Sequence, residues 1–195
     1  MPERYCFRRF RREGEATAYI VACADSLETM VIDPGNKLDE LKNAMNELQL
    51  KLRYVALTHS HGTHVEGISG LLSGPESRLL AHPEEIPDGM SGREIRGGDR
   101  IILGKLRIDA VETPGESPGG ISYFLPFGPG EMGCVLTGDV LEAGRIGGLA
   151  GRGDVLQAVA SVKTGLLPLG DGVRVYPGHG PATTIGVERH HNPYL

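Results

Sequence analysis

The sequence predicts an α/β domain in which sheets pack together and are covered by helices. Three observations predict it: short strand-like runs bounded by glycine and proline, apolar residues at helical spacing in separate stretches, and glycine scattered without a repeat. Glycine makes up 29 of 195 residues, yet no Gly-X-Y period runs through it, so many tight turns explain it better than collagen or disorder. No linker, low-complexity tract or internal repeat divides the chain, and residues 1–195 are expected to form a single domain.

At the amino end Arg4, Arg8, Arg9, Arg11 and Arg12 interleave with Tyr5, Phe7 and Phe10, which reads as a strand with one solvated face. Residues 17–23 and 28–33 read as a hairpin turned at Asp25-Ser26 and stopped by Asp33-Pro34-Gly35. Leu38, Leu41, Met45 and Leu48 recur at helical spacing and predict an amphipathic helix over 37–50. The apolar run Tyr54-Val55-Ala56-Leu57 is a further strand, and residues 65–72 a second helix. Strands follow at about 78–82, 100–103, 105–112, 119–125 and 133–137, with the spacing of antiparallel structure. Val155, Leu156, Val159, Val162, Leu166 and Leu167 mark another amphipathic helix, and residues 173–176 a last strand.

Composition excludes several functions. A formal charge of −5 and a pI of about 5.8 leave no basic field for a phosphate backbone, so nucleic acid is not an expected partner. No apolar run approaches the ~20 residues of a membrane span, and the start Met-Pro-Glu-Arg lacks the apolar core of a signal peptide, so a cytoplasmic location is expected. Cys6, Cys23 and Cys134 are odd in number and widely spaced, which fits buried thiols rather than a disulfide framework or a zinc knuckle. Nothing in the sequence sets an oligomeric state.

The chemistry gathers at four places, each at the end of a strand-like run. His59, His61 and His64 follow Leu57 in Thr58-His59-Ser60-His61-Gly62-Thr63-His64. Glu116 lies in Thr113-Pro114-Gly115-Glu116-Ser117-Pro118-Gly119, Asp139 in Leu136-Thr137-Gly138-Asp139, and His179 in Pro177-Gly178-His179-Gly180. Neutral imidazoles and carboxylates are what a hydrolytic metal centre requires, with one position left open for water. Strand carboxyl ends are where α/β proteins build sites.

These motifs resemble the metallo-β-lactamase superfamily, whose pattern runs His-x-His-x-Asp-His, then a Pro-Gly-His loop, then Asp, then His. The likeness is nearest to the short bacterial proteins similar to glyoxalase II, which finish much as Tyr176-Pro177-Gly178-His179-Gly180-Pro181 and Asn192-Pro193-Tyr194-Leu195 do here. The resemblance implies a four-layer αββα sandwich. It also implies metal-dependent hydrolysis of an ester or a hydroxyacyl thioester, a small-molecule substrate, with Asp139 orienting the attacking water. Carried over by position, His59 and His61 match the first-metal imidazoles, His64 and His179 those of the second metal, and Asp139 the bridging carboxylate.

Two positions depart from the pattern. Thr63 stands where the family has Asp, and Glu116 where it has the Pro-Gly-His imidazole. With Glu116 as a ligand, His59, His61 and Glu116 form a two-His, one-Glu set of the kind found in mononuclear zinc hydrolases; as an exposed loop residue, Glu116 is only solvated. A hydroxyl replaces a carboxylate poorly at a dication, so one zinc is expected rather than two, with iron or manganese as other options. Glu142 stands where an aromatic is common. A catalytically inactive binding or regulatory protein and a mononuclear iron sulfur dioxygenase are the alternatives. Asp33 reads equally as a turn cap or as a residue that orients the His loop. His82, His190 and His191 read as surface or core-satisfied histidines.

Overall fold

The computed structural model describes residues 5–74, 77–126, 132–149 and 153–195; Arg4 of the amino-terminal cluster lies outside them. The first sheet is built in chain order from β1 (Tyr5–Phe10), β2 (Ala18–Cys23), β3 (Glu28–Ile32), β4 (Lys51–Ala56), β5 (Arg78–Ala81) and β6 (Arg93–Glu94). Strands β1 to β3 pair antiparallel, and β3 to β6 pair parallel. The expected hairpin over 17–33 is therefore present. The strand near 78–82 instead joins β4 in parallel, because the chain between them crosses over the sheet rather than turning back.

The second sheet takes β7 (Arg100–Leu103), β8 (Leu106–Glu112), β9 (Ile121–Leu125) and β10 (Cys134–Gly138) in antiparallel succession. After β10 comes a small ribbon, β11 (Leu141–Glu142) with β12 (Arg145–Ile146). The chain then returns to add β13 (Arg174–Pro177) parallel to β10, with β14 (Thr183–Thr184) beyond it at the edge.

Alternate residues of the first sheet's buried strands join different cores, which shows how the layers stack. Tyr19, Val21, Met30 and Ile32 face between the sheets and pack on Ile101, Ile108, Tyr123 and Leu136. Their neighbours Ala18, Ile20, Val31 and Val55 face the other way, against Leu41 and Met45 of α1 (Leu38–Glu47) and Ile68. On the far side of the second sheet, Val135 and Val175 pack against Ala158, Val162, Leu166 and Ile185. A strand buried on both faces needs a cover on each, and the three cores make the four layers helix, sheet, sheet, helix. This is the αββα sandwich that the sequence led us to expect.

Two predicted helices are broken. Residues 65–72 form two single turns, α2 (Gly62–Val65) and α3 (Ile68–Leu71), which meet at Gly67 where the backbone runs tight against the Gly35 carbonyl. The helix expected from 155 to 167 is α4 (Val155–Ser161), then a π turn over Val162–Leu166 and a 3-10 turn over Leu167–Leu169. Leu156 does not join the apolar stripe and is 81% exposed; Ala158 fills the inward position. A closing helix, α5 (Ile185–His191), capped by the Thr184 hydroxyl, has no counterpart in the periodicity. The cysteines are all free, with Cys6 only half-buried.

Two buried tyrosines bridge the sheets and hold the strand ends together. Tyr123 donates to the Leu57 carbonyl at 2.8 Å, and Tyr19 to the Pro177 carbonyl at 2.6 Å. Replacing Tyr123 with Phe removes one bridge and leaves a buried carbonyl short of a donor. It is expected to lower unfolding free energy by about 1 kcal/mol, read as a lower denaturant midpoint at unchanged slope; an unchanged midpoint would refute the bridge.

Candidate metal centre

Loops from both sheets meet where β3, β4, β8, β10 and β13 end. The His loop leaves β4 and is fixed first by Asp33, which follows β3 with φ of 49° and is 1% exposed. Its carboxylate accepts from the Thr58 backbone N–H at 2.8 Å and from the Thr58 hydroxyl at 2.7 Å. Its Oδ2 also lies 3.1 Å from His64 Nδ1, within ion-pairing distance, although that nitrogen is not aligned as a hydrogen bond. Of the two readings of Asp33, the orienting one describes the structure.

The sequence pointed to no role for Glu85, which is 2% exposed on a 3-10 turn after β5. It accepts from the backbone and hydroxyl of Ser60 at 2.7 and 2.6 Å, and from Gly119 N–H at 2.9 Å. The carboxylate thus ties the His loop to the loop carrying Glu116. Nothing in the motif around Glu85 distinguishes it from a solvated Glu; its partners are far away in sequence.

Glu116 points inward. Its Oε2 accepts a short hydrogen bond from Gly148 N–H, and its Oε1 lies 3.4 Å from His61 Nδ1, with the side chain 15% exposed. Gly147 passes so close that a Cβ there would meet the Glu116 side chain. Asp139 follows Gly138, whose φ of 53° turns the chain toward Thr58. Its carboxylate lies 2.9 and 3.0 Å from His179 Nδ1, 3.3 Å from His64 Nε2 and 3.8 Å from His59 Nε2. Gly178 lets the His179 loop run against Asp139, because a Cβ there would strike its carboxylate. Thr63 is exposed and has no part in the cluster.

Three groups of ligand atoms each converge within 4.8 Å: His59, His61 and Glu116; His59, His64 and Asp139; and Asp139, Glu142 and His179. All six candidates read from the sequence are in these groups, together with Glu142, whose position after Asp139 had marked it only as a departure. His82 accepts from Glu84 N–H and is satisfied in the core, while His190 and His191 are exposed. The donor chemistry fits a divalent cation, since His59 Nε2 is buried, faces the cluster and has no hydrogen-bond partner among the described residues.

Electrostatics separate the imidazoles. Burial, reinforced by the neighbouring His64, pushes His59 down to about 4 and keeps it neutral. Burial also opposes charge on His64, but Asp33 on one side and Asp139 on the other outweigh it and raise His64 to about 10. The hydrogen bond to Asp139 raises His179. Burial would raise Asp139, yet the hydrogen bonds from His179 and His64 hold it below the usual carboxylate range. Glu142 is raised, by burial first and then by Asp139.

Without a cation, His64 is therefore a charged partner for two carboxylates. Its folded value lies above its unfolded one near 6.5, so its contribution to stability is complete below about pH 6.5 and disappears as pH rises through about 10. Chelator-treated protein is expected to have a lower denaturant midpoint at pH 10.5 than at pH 7, with the difference reduced in His64→Ala; an equal difference in both proteins would contradict this assignment.

Residues 11–179 match the Metallo-beta-lactamase superfamily. Hydroxyacylglutathione hydrolase GloC of Haemophilus influenzae is 31% identical over an alignment spanning 88% of this chain and 89% of its own. The crystal structure of ETHE1 from Myxococcus xanthus superposes with a TM-score of 0.84 at 28% identity, covering 96% of this chain and 83% of that one. TTHA1623, solved in a di-iron-bound form, superposes with a TM-score of 0.79 at 28% identity over 95% of this chain and 98% of its own. The match through almost every strand and loop of the site means that the chain belongs to the metallo-beta-lactamase superfamily.

Proposed function

We propose that this chain is a metal-dependent hydrolase of an ester or hydroxyacyl thioester, holding one divalent ion tightly at His59, His61 and Glu116. The observation that carries the reading is the buried, unpartnered His59 Nε2 within a two-imidazole, one-carboxylate group. GloC, named a hydroxyacylglutathione hydrolase, supports the substrate class. A divalent ion held there supplies a water of lowered pKa and a Lewis acid for a carbonyl.

The chain's own residues supply the rest. Asp139 stays ionised between His64 and His179, so it can accept a hydrogen bond from the attacking water and orient it. His59 stays neutral at mildly acid pH, which leaves its lone pair free for a cation. Glu116 is held in place by the Gly148 N–H, so its free oxygen faces His61. Zinc suits a two-His, one-Glu group; the di-iron form of TTHA1623 makes iron the second metal to assay.

Two experiments test this. Metal analysis of protein purified without added ions is expected to give one ion per chain in the wild type and a loss of most of it in Glu116→Ala; metal content untouched by that change would refute the assignment. Reconstituted with zinc, manganese or iron, the protein is expected to hydrolyse S-lactoylglutathione or a related hydroxyacyl thioester. Asp139→Asn should reduce turnover by about a hundredfold or more. Absence of thioester turnover with every metal, or iron-dependent oxygen uptake in its place, would overturn the hydrolase reading.

A further inference from the structure

The arginine-rich strand β1 is a sequence motif that the metal centre leaves without a role. In the fold β1 is the outer strand of the first sheet, and β14 beside β13 is the outer strand of the second. Where these two edges meet, a cavity of about 780 Å³ is lined by Phe7, Arg8 and Arg9 from β1, by Arg174 and Tyr176 from β13, and by Thr184 at the start of α5. None of the candidate metal ligands lines it. Small-molecule sites occupy roughly 300–1,000 Å³, so the space is of the right size for one.

The charge in this cavity is unbalanced. Arg8, Arg9 and Arg174 are exposed, no acidic side chain lines the cavity with them, and among the described residues none of the three forms a salt bridge. Composition does not force this, because the chain has 25 acidic residues against 20 lysines and arginines. Elsewhere Arg12, Arg53, Arg100, Arg107 and Arg189 each lie 2.5 to 3.5 Å from a carboxylate. Tyr176 gathers two of the unpaired arginines instead: the Arg9 guanidinium carbon stands 5.4 Å from the centre of its ring, and Arg174 meets its hydroxyl. Phe7 backs that ring, with centroids 4.7 Å apart. A guanidinium over a ring keeps its charge and its donor fork, so both arginines remain able to bind an anion. The Thr184 hydroxyl accepts from Val187 N–H at 3.2 Å and keeps its own proton to donate.

We propose that this cavity is a binding site for a small organic molecule carrying two anionic groups, phosphate or carboxylate, held by the forks of Arg9 and Arg174 against the floor formed by Phe7 and Tyr176. Three guanidinium groups without a counter-charge repel one another, and an anion between them removes that cost. The net charge of −5 repels an extended polyanion, which restricts the occupant to one that fits inside the cavity. The site does not depend on the hydrolase reading, since no metal ligand belongs to it.

Calorimetric titration of the protein as purified with fructose 1,6-bisphosphate and, separately, with glutarate tests this. At least one of the two is expected to bind at one site per chain and more weakly as salt is raised, and the tighter of them identifies the preferred anionic group. Arg9→Gln and Arg174→Gln are each expected to weaken that binding about tenfold or more. Arg174→Lys, which keeps the charge and loses the fork, should fall between them and the wild type. Arg100→Gln, at an exposed arginine outside the cavity, should leave the affinity unchanged, as should treatment with a chelator. Absence of binding by both probes, equal affinity in the wild type and the two Gln variants, or loss of binding on chelation overturns the proposal and leaves the hydrolase reading untouched.

Discussion

Asp33 is a carboxylate almost without solvent, at the end of β3, and the metal centre is arranged around the donors it demands. A buried carboxylate is costly unless its oxygens are satisfied. The Thr58 N–H and hydroxyl satisfy them and so define where β4 stops and how the His loop departs. The same carboxylate faces His64 Nδ1, which turns the opposite nitrogen of that ring toward Asp139. One buried group therefore sets both the path of a loop and the orientation of a ring. That dual role explains why a left-handed backbone is tolerated at a non-glycine residue.

The remaining constraint is that two sheets must deliver their loops to one point. Hydrogen bonds that cross between them fix this register: Tyr123 to the Leu57 carbonyl, Tyr19 to the Pro177 carbonyl, Thr17 N–H to the Gly178 carbonyl, and Ile121 N–H to the Thr58 carbonyl. Each lies within a few residues of a candidate ligand. A metal constellation needs its donors within about 0.5 Å of a workable geometry, and such bonds hold elements of different sheets more closely than apolar packing does. Between the loops, carboxylates and imidazoles interleave, so that Asp33, His64, Asp139 and His179 form one chain of opposite partners.

Much of this was legible in the chain. Apolar runs bounded by glycine and proline marked the strands that carry Tyr19, Ile108 and Tyr123, and the strand-end placement of His59, Glu116, Asp139 and His179 pointed to a common site. The broken helices after His64 and Ser161 were not legible. Gly67 yields to a close backbone contact with Gly35, and the turn at Val162 follows packing against the second sheet, neither of which periodicity records. Glu85 and Glu142 escaped for a similar reason. A carboxylate in a loop has the same local signature whether it is solvated or buried beside Ser60 or His179.

By itself the sequence determined most of the strands, sheets packed together under helices and the residue types capable of holding a cation, because these follow from side-chain period and donor chemistry; the four-layer class was implied by the likeness of its motifs to a known family. Only the tertiary structure decided that Glu116 turns inward, that Asp33 is a positioning group and that Glu142 joins Asp139 and His179. Those outcomes depend on distances between segments far apart in the chain. The physical reason is that a charged side chain finds its state in the partners folding brings to it, and Gly148 and Thr58 are both remote in sequence from the carboxylates they fix.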